Sequence, residues 1–158
     1  MAKLQKTNAM RQLDAAKIKY EVFEYEVDEN NLAGTHVAEQ IGLPFEVVFK
    51  TIVARGDKSG HIVLCIPCDK EIDLKKAAVA TSNKRVETVQ VKELLGLTGY
   101  IRGGCSPIGM KKRFPTYFDS SVLFYDKITV SAGVRGAQLL IDAAELIKFI
   151  GANTADIV

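Results

Sequence analysis

The stretch Gly103-Gly104-Cys105-Ser106-Pro107-Ile108-Gly109 constrains this chain more than any other. Three glycines, a proline and a serine in seven residues make a loop that no helix or central strand tolerates. Glycines let backbone approach a ligand closely, and turns of this kind leave amide N–H groups free to point at an anion or an oxyanion. Taken alone, the loop reads more readily as a tight turn with nothing bound. The rest of the chain decides between the two.

With 158 residues, 47% of them hydrophobic and 25% charged, the chain has the composition of an ordinary globular protein. One domain over 1–158 is expected. No apolar run approaches the ~20 residues of a membrane span, so no membrane partner is expected. Met1 to Lys6 lacks the apolar stretch of a secretion signal, which points to the cytoplasm. A net charge of +2 neither establishes nor excludes a nucleic-acid partner, because local patches matter more than the total. Lys75-Lys76, Lys84-Arg85 and Lys111-Lys112-Arg113 are candidate patches, with solvated surface charge as the alternative. Three cysteines cannot all pair within one chain, so free thiols are expected.

In order along the chain, Thr7 reads as the cap of a helix over 8–17, with Met10 and Leu13 on its apolar face. Tyr20 to Val27 is strand-like, and Gly34 to Ile41 reads as a second helix stopped by Gly42. Phe45 to Arg55 is the strongest strand signal, returned by His61 to Pro67 as a hairpin. Asp73 is placed to cap a helix over 74–80, and Val86-Glu87 leads to a short helix near 92–95. Val122–Tyr125 and Ile128–Ser131 are expected to pair as a second hairpin. Gln138–Ile141 is read as a further strand, before a helix over 143–150 capped by Asp142. Interspersed strands and helices predict a mixed α/β (α+β) domain with one curled sheet.

Lys50 stands mid-strand with Val48 and Ile52 as same-face neighbours. A buried ammonium must reach water, pair with an anion or lose its proton. If functional it would hold a phosphate or stabilise developing negative charge; otherwise it guards a strand edge. Cys65-Ile66-Pro67-Cys68 spells a redox or metal motif, but Cys65 still belongs to an apolar strand, and a zinc site needs four ligands. Small buried hydrophobes are the expectation for these cysteines. The segment Gly104–Gly109 differs from a nucleophile elbow by one residue, and Pro107 has no N–H to give an oxyanion hole. His36 and His61 lack evident partners, so a serine or cysteine hydrolase is rejected. Ser131-Ala132-Gly133-Val134-Arg135-Gly136 is a second loop in which a hydroxyl, an amide and a guanidinium could converge on a carbonyl or phosphate.

Taken together, these segments resemble the YbaK family of aminoacyl-tRNA deacylases, a domain type also inserted in bacterial prolyl-tRNA synthetases as an editing domain. The matching segments are Thr7–Met10, Phe49-Lys50-Thr51, Asp73–Ala78, Gly99-Tyr100 with Gly103–Gly109, Ser131–Gly136 and Asp156-Ile157-Val158. The resemblance implies a barrel-like mixed sheet with helices around it. It implies trans-editing of mischarged tRNA, above all Cys-tRNA(Pro), in association with prolyl-tRNA synthetase. The family's essential lysine falls on Lys50, and Gly103, Gly104 and Ser106 join it as the catalytic set. Tyr25, Ala33, Thr51, Pro107, Gly109, Ser131, Gly133 and Arg135 are assigned to the substrate. No cofactor or metal is expected. In the cysteinyl branch the substrate's own thiol attacks the ester, and the enzyme orients the aminoacyl end. Ala33 stands where relatives can carry a bulky aromatic, so alanine or another small amino acid remains an alternative substrate. A non-catalytic tRNA- or nucleotide-binding module is the alternative from another class.

Overall fold

The computed structural model describes residues 5–158. The reading of the leader rests on the first residues, of which 1–4 lie outside that range. In chain order the elements are α1 (Asn8–Ala15), β1 (Tyr20–Glu24), α2 (Gly34–Ile41), β2 (Phe49–Gly56), β3 (Gly60–Pro67), α3 (Leu74–Ala80), β4 (Val86–Thr88), α4 (Val91–Thr98), β5 (Thr116–Asp119), β6 (Lys127–Ser131), β7 (Ala137–Asp142), α5 (Ala143–Ile150) and β8 (Asn153–Ala155). Helix starts follow their caps. The Thr7 hydroxyl accepts from the Met10 amide at 3.2 Å. Asp73 accepts from Lys75 and Lys76, each at 3.0 Å, and Asp142 from Glu145 at 2.9 Å. Each side chain satisfies amides that the first turn leaves open. Gly42, Gly99 and Gly151 end α2, α4 and α5 at φ of 73°, 83° and 73°, the left-handed region open to glycine.

The strands form two sheets, a β1-β7-β6 antiparallel sheet and a β4-β2-β3-β5-β8 mixed sheet. In the second, β2 pairs antiparallel with β3 and β4, while β3–β5 and β5–β8 run parallel. Among the described residues one parallel bridge, Val48 to Thr129, joins the sheets. They do not close, so the expected barrel-like sheet is corrected to two sheets meeting at a seam. The mixed α/β class stands.

Strand β3 explains the layering. Its side chains alternate between faces, and both faces are covered. Val63 and Cys65 enter the main core with Phe49, Val53 and Phe118 of their own sheet and Ile128, Val130 and Leu139 of the other. Ile62, Leu64 and Ile66 enter a second core under Ala77 and Ala78 of α3. Hence its run of apolar residues has no polar positions. Val48 and Cys68 form a third, smaller core with Ala38 of α2.

Three sequence expectations are corrected. Phe45–Val47 is a 3₁₀ turn, because Pro44 (φ −61°) opens it and the Val47 amide donates to the Pro44 carbonyl at 3.2 Å. Ser120–Phe124 is also 3₁₀, since the Asp119 carboxylate accepts from the Ser121 amide at 3.1 Å and turns the chain away from extension. The second hairpin is therefore β6–β7, joined through Ala132–Gly136. The short strands β5 and β8 were not anticipated.

Candidate active site

The two glycine loops are built against each other. In the first, the buried Tyr100 ring spans the loop and its hydroxyl donates to the Ile108 carbonyl. The Gly104 amide donates back to Ile101 at 2.9 Å. Gly103 has φ 86° and Gly109 φ 73°, conformations that disfavour a side chain. In the second, the Gly133 amide donates to the Ser131 hydroxyl at 3.1 Å, and the Ala132 amide to Ala137 at 3.1 Å. A Cβ on Gly104 would lie 3.0 Å from both the Arg135 nitrogen and the Val134 carbonyl carbon. A Cβ on Gly133 would lie 2.9 Å from the Tyr100 ring. Gly104 thus serves backbone-to-backbone contact between the loops, and Gly133 makes room for the Tyr100 ring. The Arg135 Nε adds a 2.8 Å bond to the Arg102 carbonyl.

The start of α1 fastens both loops. Thr7 donates through its hydroxyl to the Ala132 carbonyl at 2.6 Å, and Asn8 through its amide to Gly109 at 3.1 Å. Thr7 therefore caps its helix and ties down the second loop with one hydroxyl. The sequence shows the cap and not the tie.

Tyr25, Leu32, His36, Gly103 and Arg135 line one cleft. The amides of Gly103 and Arg135 have no acceptor among the described residues, and neither Ser, Thr nor Cys lines this cleft. His36, which has no evident partner in sequence, gains one. The Glu26 amide donates to Gln40 Oε1 at 3.2 Å, which orients that amide group, and Gln40 Nε2 meets His36 Nε2 at 2.9 Å. With Oε1 taken by the Glu26 amide, Gln40 turns its Nε2 to the His36 ring. The i, i+4 spacing of His36 and Gln40 was the available signal.

Lys50 lies half-buried on β2, opposite Ile66, and makes no ion pair or side-chain hydrogen bond among the described residues. It shares its face with Val48, whose carbonyl accepts from the Cys68 amide at 2.8 Å. Burial, aided by Asp69, pushes the Cys68 thiol up to about 11, against the opposing pull of the Lys50 charge. Gly34, opening α2, presses on Cys68 so closely that a Cβ would sit 2.7 Å from the cysteine Cβ. The first turn of α2 is thereby set beside Lys50, and Ala33, exposed at the cap position, belongs to that turn. Past the Val48–Thr129 bridge, Lys50 and Ser131 follow two residues on along neighbouring chains.

Other candidates go elsewhere. Thr51 points to the opposite face from Lys50, with its hydroxyl 3.8 Å from the Cys65 sulfur inside the core. Ser106 is fully buried, and its hydroxyl accepts from the Ile108 amide at 3.3 Å. Pro107 and Gly109 line a different cleft, with Gln12, Lys112, Arg113 and Phe114. Cys65 and Cys68, three apart, enter different cores. Burial pushes the Cys65 thiol strongly up and the Cys105 thiol up to about 12. None is poised as a thiolate.

Comparison with known proteins agrees with this architecture. Residues 32–149 match the family model described as "Aminoacyl-tRNA editing domain". An Enterococcus faecalis protein named "Putative Cys-tRNA(Pro)/Cys-tRNA(Cys) deacylase EbsC" is 45% identical over 153 residues, covering 97% of this chain and 93% of that protein. Among solved structures, one described as a "putative trans-editing enzyme for prolyl tRNA synthetase" superposes with a TM-score of 0.79 at 23% identity, over 98% of each chain. A hypothetical protein superposes with a TM-score of 0.86 at 20% identity, over 96% of this chain and 99% of the other. These two likenesses concern the fold; the family match and the bacterial relative add sequence. With two interlocked glycine loops, a lysine-bearing strand beside them and that extent of similarity, the chain belongs to the aminoacyl-tRNA editing domain family.

Proposed function

We propose that this protein removes the wrong amino acid from mischarged tRNA, acting in trans on Cys-tRNA(Pro). The observation that carries the reading is the pair of glycine loops packed against each other, in which the Gly103 and Arg135 amides make no hydrogen bond among the described residues, beside a cleft with no serine, threonine or cysteine in its lining. Such loops can stabilise an oxyanion, and the cleft beside them offers no hydroxyl of serine or threonine and no thiol to attack the ester. The cysteinyl thiol of the substrate fills that gap. Its sulfur attacks the ester carbonyl carbon, and the thiol proton passes to the departing ribose oxygen as the carbon–oxygen bond breaks. The products are tRNA with a free hydroxyl and a cysteine thiolactone, which water opens to cysteine.

Each residue then has a role. Lys50 holds the terminal adenosine or its phosphate as a point charge. Gly103 and Arg135 amides receive the carbonyl oxygen. Tyr25, Leu32 and His36 wall the amino acid. Gly104, Gly133 and Ser131 keep the loops in register, and Ser106 and Tyr100 hold the first loop's shape. The rate gain is mostly orientation of thiol against carbonyl. The name of the Enterococcus relative supports the cysteinyl substrate. Association with prolyl-tRNA synthetase, a cytoplasmic site of action and a single domain over the whole chain belong to the same reading. Among the described residues no helix is long and apolar enough to cross a membrane.

The test is release of amino acid from tRNA(Pro) charged separately with cysteine, alanine, serine and proline. Rapid loss of cysteine alone, with serine retained, is the expected outcome. Loss of alanine would replace the thiol with water as nucleophile. Retention of all four would leave a binding module.

A further inference from the structure

The first glycine loop borders two clefts, and their charges differ. Gly103, at its start, lines the cleft with Tyr25 and His36, whose lip carries Glu26, Asp28 and Glu29. Pro107, Ile108 and Gly109, at its end, line a second cleft with Gln12, Lys112, Arg113, Phe114 and Phe149. No carboxylate lines that second cleft. Lys111, Lys112 and Arg113 are exposed, and none forms an ion pair among the described residues. By contrast, the broad cleft beside α1 and β7 mixes Asp14, Glu21, Asp142 and Glu145 with its lysines. A phosphate chain is repelled at the acidic lip and attracted at the basic cleft.

We propose that the RNA strand carrying the amino acid lies in this basic cleft, running along the glycine loop from the aminoacyl cleft. This rests on the deacylase reading for the identity of the RNA. Gly103 to Gly109 spans at most ~20 Å of extended chain, so one strand reaches both clefts. Lys112 and Arg113 hold phosphates, with Lys111 at the margin. Phe114 and Phe149, both half-buried in the lining, offer rings on which an unpaired base stacks. The loop would then have two faces with two tasks: oxyanion donors at its start and a guide for the strand at its end.

The experiment compares wild type with the double variant Lys112→Glu/Arg113→Glu and with Lys84→Glu/Arg85→Glu, an equal charge change elsewhere. Circular dichroism verifies folding; if the first double variant unfolds, Lys112→Ala and Arg113→Ala are used singly. Binding of uncharged tRNA(Pro) is measured over a salt series, together with hydrolysis of Cys-tRNA(Pro) and of a cysteinyl-adenosine ester. The Lys112/Arg113 variant is expected to bind tRNA at least ~10-fold more weakly at low salt, with a salt slope smaller by about two. Its KM for Cys-tRNA(Pro) rises while kcat and the small-ester rate stay unchanged; the Lys84/Arg85 variant changes less than ~3-fold in each. Unaltered tRNA affinity in the Lys112/Arg113 variant, or equal weakening in both variants, overturns the proposal. Failure of wild type to hydrolyse either ester, with tRNA binding still lost in the Lys112/Arg113 variant, would sink the deacylase reading and leave this surface standing.

Discussion

Lys50 stands between Val48 and Ile52, and among the described residues no carboxylate is bonded to it. Truncating it removes a cation without opening a cavity, because the side chain is only half-buried. Lys50→Ala is expected to lower deacylation of Cys-tRNA(Pro) by at least ~100-fold, the scale for losing one preorganised electrostatic group, while the urea midpoint stays near wild type. Cys105→Ser, in the same assay, should keep most of its activity. That thiol is buried and pushed up to about 12, and nothing in the proposed chemistry uses it. Full activity in the lysine variant would remove Lys50 from the site. His36 belongs to the same scale: its orientation comes from one glutamine, itself fixed by one backbone amide.

At the scale of elements, helix α1 is the clasp of the site. Its capping hydroxyl has two duties, to the Met10 amide and to the Ala132 carbonyl at 2.6 Å. Thr7→Ala removes both. We expect a loss of about 1–2 kcal/mol in urea unfolding, and a fall in kcat/KM beyond what incomplete folding explains. Thr7→Ser, which retains the hydroxyl, should restore most of each; an inert Thr7→Ala would show that the second loop holds itself. This pairing marks how far the sequence was legible. Caps at Thr7, Asp73 and Asp142 act within three residues, so a local reading places them and their helices. The Phe49–Pro67 hairpin is local too. Strands β5 and β8 are three or four residues long and exist because β3 offers β5 an edge and β5 in turn offers one to β8. No short polar segment announces that. The Val122–Tyr125 run looks extended until the Asp119 carboxylate turns it. The convergence of Tyr25, Gly103 and Arg135 joins residues over a hundred apart in sequence, which only the resemblance, not the pattern, suggested. Ser106 and Thr51 carried plausible chemistry in sequence, and the fold turns both inward.

For the whole molecule, the buried thiols link stability to pH. The ordinary value of a thiol is 9.0; burial raises Cys68 to about 11 and Cys105 to about 12, and raises Cys65 as well. Above pH 9 the unfolded chain gives up these protons while the fold retains them. The unfolded state then binds fewer protons, so stability is complete below pH 9 and falls as pH rises toward the folded values. Each such thiol contributes a slope of about 1.4 kcal/mol per pH unit in that window. Urea midpoints between about pH 8 and pH 10.5 should decline in wild type. Cys65→Ser/Cys105→Ser should decline less steeply; parallel slopes would show that the two sulfurs do not set the pH dependence.

The last strand has a consequence for how the protein is born. Among the described residues β8 pairs with β5 alone, and just beyond it Ile157 is wholly buried. The Ile157 amide donates to Asp119 at 3.2 Å, and its carbonyl accepts from Asp73 at 2.8 Å. Segments made early and late in synthesis thus wait for residue 157. A growing chain therefore presents the free edge of β5 until the segment through Ile157 has been made and has emerged to cover it.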